Sequence, residues 1–144
     1  MGLQIVDHLS PGLARLAARC RNRKPVLEAM GLEFESITVR AFTNPALRPL
    51  PWRDKVDGTP ATLRKSGAMW QSVKRPPVVT ENSVTCGSDR AYAAIHQLGG
   101  KTGRNHAATM PPRPFFPILN GKLTPEAKRL IEAVGHAKIK ILLK

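Results

Sequence analysis

"AYAAIHQLGGKTGRNHAATMPPRPFFP", residues 91–117, is the stretch on which the fold turns. Its first part, through Leu98, is compact and alanine-rich, which predicts a short helix stopped by Gly99-Gly100. Tyr92 and His96 stand four residues apart and so share one face of that helix. "KTGRNHAAT" is polar, basic and glycine-containing, and reads as a mobile polar loop. "MPPRPFFPI" must then be extended, because a proline pushes the residue before it out of the helical region. The prolines at 111, 112, 114 and 117 fix the backbone, so that Phe115 and Phe116 arrive at one set place. That place is either the core or a partner's surface, and the residues alone leave both open.

Downstream, "LTPEAKRLIEAVG" reads as a helix with Thr124 as cap, Pro125 first, Glu126 against the positive end of the dipole and Gly135 as stop. "AKIKILLK" alternates at first and predicts a closing strand with Ile139 and Ile141 on one face. Upstream, "PVVTENSVTCG" has β-branched residues on both sides of Glu81-Asn82, which predicts a hairpin with Asn82 supplying a positive φ. Thr59-Pro60 followed by "ATLRKSGAMWQSV" predicts a third helix over 61–73, with Leu63, Gly67, Trp70 and Val73 on one face. The proline-rich "TNPALRPLPW" and the chain up to Gly58 form a loop anchored by Trp52.

Two helices come first. One starts at Ser10-Pro11, with Ser10 as cap and Leu9 as staple, and aligns Leu13, Leu16, Ala17 and Cys20 up to about Asn22. The other follows Pro25 and aligns Leu27, Met30, Phe34, Ile37 and Ala41 before ending near Phe42. This order predicts an α+β fold: N-terminal helices and a C-terminal helix on a small antiparallel β-sheet, with a long projecting loop. At 144 residues it is a single domain, 1–144.

Cys20 and Cys86 have neither the number for a disulfide framework nor the spacing of a zinc site. They read as small buried or half-buried hydrophobes in a reducing cytoplasm. No apolar run approaches the ~20 residues that cross a bilayer, so no membrane is expected as a partner. "MGLQIVDHLSPG" lacks the pattern of a secretory signal, and Val6 stands where myristoylation needs Ser or Thr. Net charge is the outlier, at +13. Such an excess favours a polyanionic partner, either nucleic acid or an acidic protein face. The cations are dispersed, apart from "ARCRNRK" at 18–24 and Lys74-Arg75. Aromatic residues, at 5%, are few for a protein that stacks single-stranded bases.

His96 is the tempting general base and Cys86 the tempting nucleophile, yet neither has an acidic neighbour at a spacing that would orient it. A packing histidine is the better reading. "GGKTGRN" has no helix after it, as a phosphate loop requires, only prolines. The ten acidic residues do not pair as in a glycosidase or a metal-dependent nuclease. No catalytic residue, metal or cofactor is therefore expected. Lys101, Arg104, His106 and Arg113 place several donors on one loop that can reach phosphates or an acidic protein face. No helix-turn-helix, zinc-finger or RNP signature accompanies them.

"YAAIHQLGG" at 92–100, a basic spacer and "MPPRPFF" at 110–116 together resemble the Mu-like phage virion morphogenesis family, also called tail completion proteins. "LRKSGAMWQSV" at 63–73, "PWRDKVDG" before it and "VTCGSDRAYAAIHQ" are similar to further family segments, in the same order across residues 26–117. Leu98 stands where that family has phenylalanine, Ser66 where it has threonine, and Pro112 where alanine is common. The resemblance implies a structural virion protein, assembled in the host cytoplasm. It implies a ring, typically of six copies, at the head-proximal end of a phage tail, ending the tube and docking to the head connector. Some basic residues would face the genome in the channel. Lys101, Arg104, His106, Arg113, Phe115 and Phe116 become candidates for subunit contact, joined by the hairpin edges and the last strand. Tyr92, His96, Gly99, Gly100, Pro112 and Pro114 become the packing of the motif, and residues 101–110 become a projecting loop or arm. A stand-alone basic nucleic-acid-binding protein is the alternative from another class.

Overall fold

A computed structural model describes residues 10–144. Helix α1, Ser10–Arg21, is followed after two residues by α2, Lys24–Ala41, with Pro25 in its first turn. The staple expected of Leu9 and the cap expected of the Ser10 side chain lie outside the described residues and side chains. A single 3-10 turn, Pro45–Leu47, opens the proline-rich loop, and Asn44 accepts a hydrogen bond from the Ala46 amide there. Then come α3 (Ala68–Ser72), β1 (Val78–Val79), β2 (Val84–Thr85) and α4 (Ala93–Leu98). Next are β3 (Gly100–Thr102), β4 (Ala108–Met110), β5 (Ile118–Leu119), β6 (Lys122–Leu123) and α5 (Pro125–Leu142).

The class is α+β, as the element order predicts, but the strands form three separate antiparallel pairs: β1–β2, β3–β4 and β5–β6. No single sheet carries the helices among the described residues. Instead α5 lies on α2, burying Ile37, Ala127 and Ile131 with Met30, Phe34 and Leu130 around them. A second cluster joins Phe42, Trp52, Ala61, Met69, Val73, Ala93 and Phe115, with Phe116 packed against it.

Gly135 does not stop α5. It is buried within the helix, and a side chain built there would reach Met30 Sδ at 3.1 Å. The glycine therefore permits a close α2–α5 approach, and the pattern continues helically through Ile139 and Ile141. No closing strand forms, so the edge it was expected to offer a neighbour does not exist. Thr124 caps α5 as expected, accepting from the Ala127 amide at 3.4 Å.

The third helix is shorter than expected. Leu63 has φ +53° and Gly67 has φ +73°, both left-handed, so residues 61–67 are irregular and only α3 remains. Thr59 caps nothing there; Asp57 accepts from both its amide and its hydroxyl. Leu63 still packs against the second cluster, which explains why its spacing mimicked a helix.

The β1–β2 hairpin forms where expected, pairing Val78 with Thr85 and Val79 with Val84. Asn82 does not adopt a positive φ; the Thr80 hydroxyl accepts from the Ser83 amide at 3.0 Å and closes the turn. The β5–β6 hairpin, absent from the expectations, turns on Asn120 (φ +51°) and Gly121 (φ +74°), the left-handed pair that a two-residue turn favours.

The close approach at Gly135 has a measurable consequence. Gly135→Ala should leave stability within about 1 kcal/mol, because the flexible Met30 thioether can yield and alanine favours helix. Gly135→Leu should overpack the contact and cost about 1–3 kcal/mol in a urea melt. Equal, negligible effects of both would show that α2 and α5 do not meet there.

Candidate assembly site

Between Pro111 and Pro117 only Arg113, Phe115 and Phe116 retain backbone amides, and all three are held by α4. The Arg113 amide donates to the His96 carbonyl at 2.7 Å. The Phe115 and Phe116 amides both donate to Gln97 Oε1 at 3.0 Å. Gln97 Nε2 in turn donates to the carbonyls of Phe116 and Ile118, at 3.4 and 3.3 Å. Trp52 Nε1 donates to the Pro114 carbonyl at 2.8 Å. The prolines thus remove the amides that would need partners, and one glutamine satisfies most of the remainder.

This clamp resolves the question left open by the sequence. Phe115 has 0% exposure and Arg113 is buried, so both belong to the chain's own interior. The Arg113 guanidinium donates to the carbonyls of Arg53 and Asp54 at 2.9 and 3.0 Å, pinning the proline-rich loop. Phe116 is half-buried and stacks on Phe34 at 5.8 Å. Arg113 and Phe115 therefore support the fold instead of lying open for a neighbour, and Phe116 packs inward while keeping part of its surface exposed. Pro114 is buried beside them, while Pro112 stays exposed.

Gly99 marks where the arm leaves. Its φ of +71° is left-handed, and a side chain there would lie 2.8 Å from the Pro112 nitrogen and 2.9 Å from the Met110 carbonyl oxygen. Gly100 begins β3 directly. The expected loop is thus a β-hairpin: Gly100 pairs with Met110, Lys101 with Thr109 and Thr102 with Ala108. Its tip, Arg104–His106, is a 3-10-like turn in which Asn105 and His106 take left-handed φ values of +56°. Nearly every arm residue is exposed, and the hairpin contacts chiefly itself. Lys101, Arg104 and His106 are gathered on it. Neither Lys101 nor Arg104 has an ion-pair partner among the described residues, whose five salt bridges all lie elsewhere.

The packing expected of Tyr92 is only partly met. Its ring meets His96 edge-on at 6.0 Å, but the residue is 42% exposed and rests on the rim of an open cleft of about 390 Å³. His96 reaches into that cleft with a buried Nδ1 that has no hydrogen-bond partner. Burial, and then the Arg113 guanidinium, push its pKa below the ordinary 6.5, so the ring is neutral. No carboxylate lines the cleft to orient the imidazole. Cys86 lines a different cleft, beside Gly31 and Val84, and burial followed by Glu35 pushes its thiol pKa up, away from the reactive thiolate. The structure does not bring the two together. Cys20 is exposed at the end of α1, against the expectation of burial. Among the described residues no cluster of three His, Cys, Asp or Glu side chains forms a metal site, and no helix is long and apolar enough to cross a membrane.

Gln97 is the residue that sequence reasoning passed over. The available signal was chemical: a segment with four prolines and few amides needs an outside acceptor, and Gln97 is the amide side chain of the helix preceding it.

The profile of the phage virion morphogenesis family matches residues 6–139 of the chain. The chain is also similar to the Mu-like prophage FluMu G protein 2 of Haemophilus influenzae, with 32% identity over 113 residues, 76% of this chain and 77% of that protein. No solved structure matches. The chain belongs to the phage virion morphogenesis family.

Gln97→Leu should leave the Phe115 and Phe116 amides without an acceptor and cost about 2–4 kcal/mol in urea denaturation. Gln97→Glu keeps the acceptor and should lose less; equal losses would contradict the clamp. For His96, the lowered folded pKa means that the unfolded chain binds the proton first. Its contribution to stability is then full above pH 6.5 and declines as pH falls below that value. His96→Leu should flatten the pH dependence of the melting midpoint below 6.5, and an unchanged slope would assign it to other groups.

Proposed function

We propose that this phage virion morphogenesis protein is a structural subunit that assembles into a ring, of six copies, at the head-proximal end of a phage tail. There it ends the tail tube and joins the tail to the head connector, without catalysis. Its partners are sister copies, the tube protein and the connector, and its site is the neck of the virion. The observation that carries this reading is the arm: a basic hairpin that leaves the core at Gly99, returns through the clamped Pro111–Pro117 segment, and packs chiefly on itself. A hairpin of two short strands is marginal alone in water. Such an element gains stability by lying against a neighbouring subunit, where its free strand edges and the cations Lys101 and Arg104 find partners.

The charge of +13 favours a second reading, a solitary nucleic-acid-binding protein. The two separate in solution. A ring-former sediments as a multimer and shows rings by negative-stain microscopy. A solitary binder stays monomeric and retards duplex DNA, with affinity falling steeply as salt rises.

Replacing residues 101–109 by a short glycine linker should leave the far-ultraviolet circular dichroism and urea midpoint close to those of the intact chain, because the arm contributes no core residue. The same deletion should abolish ring or tail assembly. Rings formed by the folded deletion variant would remove the arm from the mechanism of assembly.

A further inference from the structure

Helix α1 is amphipathic in sequence, yet among the described residues little covers its apolar line: Leu13 is 61% and Leu16 41% exposed. Leu13, Leu16 and Cys20 lie one turn apart in succession, and so form one line along the helix. That line runs into an apolar cleft of about 380 Å³ at the junction of α1, α2 and the end of α5, where Cys20 meets Val26, Leu27, Ile139, Leu142 and Leu143. Arg19 Nη1 reaches the Leu142 carbonyl at 3.5 Å and ties the two helix ends together.

The charges around this cleft are mostly positive, with Glu81 the acid that shares a neighbouring cleft with Arg21, Arg23 and Lys24. Residues 10–27 carry Arg15, Arg19, Arg21, Arg23 and Lys24 and no acidic residue. Residues 133–144 carry Lys138, Lys140 and Lys144 and again no acidic residue. Asp7, Glu28 and Glu132 are the nearest acids along the chain, and Glu132 is already paired with Lys128 at 3.8 Å. A second copy seated here would bring the same cations against them, and like charges brought together oppose association. Duplex DNA would satisfy the cations but offers no apolar group to fill a cleft between helices. A membrane is flat and meets a convex helix face more readily than a recess.

From the cationic rim, the apolar floor and the extended line of leucines, we propose that this cleft and the adjoining face of α1 form a docking groove for an acidic amphipathic helix of a different protein. The occupant places apolar anchors at i, i+3 or i+4, and i+7 along the cleft and the Leu16–Leu13 line, and its carboxylates meet the arginines of α1 and the lysines of α5. This groove is independent of ring formation through the arm.

The test uses the full chain and two fluorescein-labelled synthetic helical peptides of about 18 residues, five turns. Both carry leucine at those anchor positions; one has glutamate at the remaining positions and the other lysine. Fluorescence anisotropy should show binding of the glutamate peptide, weakened on the order of tenfold or more between low and physiological salt, and none of the lysine peptide. Leu143→Glu and Leu16→Glu change exposed side chains and should keep the melting midpoint, while each lowers affinity at least tenfold or so by placing a carboxylate in the apolar line. Absence of glutamate-peptide binding, or equal binding of both peptides, overturns the proposal. So does a Leu143→Glu variant that binds normally but loses self-association by sedimentation, which would give the groove to a second copy. Binding of the chain to anionic phosphatidylserine vesicles that is lost in Leu16→Glu, with no peptide binding, would give the face to a membrane and overturn it equally.

Discussion

The rest of the structure depends on holding a segment that cannot make regular secondary structure. With prolines at 111, 112, 114 and 117, this segment can enter neither a helix nor a ladder, yet its phenylalanines occupy the centre of the molecule. The aromatic rings show why this matters. Phe34 stacks on Phe116 at 5.8 Å, Phe116 lies 4.6 Å from Phe115, Phe115 lies 5.5 Å from Phe42, and Phe42 meets Trp52 edge-on at 5.9 Å. All four phenylalanines of the chain lie on this path. It joins the α2–α5 cluster to the cluster around Trp52, Met69 and Val73, so the two cores become one through residues 115 and 116. Gln97, Trp52 and the His96 carbonyl are what keep that path in register.

The same clamp gives the arm its base. A hairpin that leaves a helix at Gly99 and returns into a segment with every amide engaged has little freedom where it joins the body. What varies is its tip, where Arg104, Asn105 and His106 turn in left-handed and 3-10 geometry. Separation of duties follows. Arg113, despite its charge and its place in the motif, is spent internally on the carbonyls of Arg53 and Asp54, whereas Lys101 and Arg104 remain outside. Arg48 is spent similarly, donating to the Ala41 and Phe42 carbonyls at the end of α2 and lying 3.8 Å over the Trp52 ring. The formal charge of the chain therefore overstates what a polyanion would meet.

How far the sequence revealed this fold depends on the kind of signal. Caps and prolines were legible: α2 and α5 begin where Pro25 and Thr124-Pro125 place them. Spacing misled where an irregular chain happened to put apolar residues at helical intervals, as at Leu63, whose left-handed φ only tertiary packing could require. Gly135 was misread because a glycine that ends a helix and one that lets two helices touch look alike until the partner is known. Asn120-Gly121 is a legible turn signal, but the strands it joins have two residues each, too few to show an alternation. Residues 101–110 were correctly separated from the body, but their pairing was hidden, as neither strand has an apolar face to announce it. Of the expected interface residues, the two central ones, Arg113 and Phe115, proved to be core. Nothing in a short proline-aromatic segment says which side it faces; that was decided by Gln97.

Aromatic usage bears on which partner this surface suits. Stacking on bases needs exposed rings, and the chain has seven aromatic residues by composition, one tyrosine, two tryptophans and four phenylalanines. The phenylalanines and Trp52 are committed to the interior. Trp70 is covered by cations, with Lys74 Nζ at 3.2 Å and Arg64 Cζ at 4.7 Å from its ring. Only Tyr92 stays substantially open, and its ring is engaged edge-on with His96. A single-stranded nucleic acid would find charge here but no platform. Acidic protein faces make the smaller demand: cations on a defined frame, and apolar side chains such as Leu13, Leu16 and Leu143 left uncovered beside them. The chain offers that pairing on α1 and α5, and a basic hairpin elsewhere.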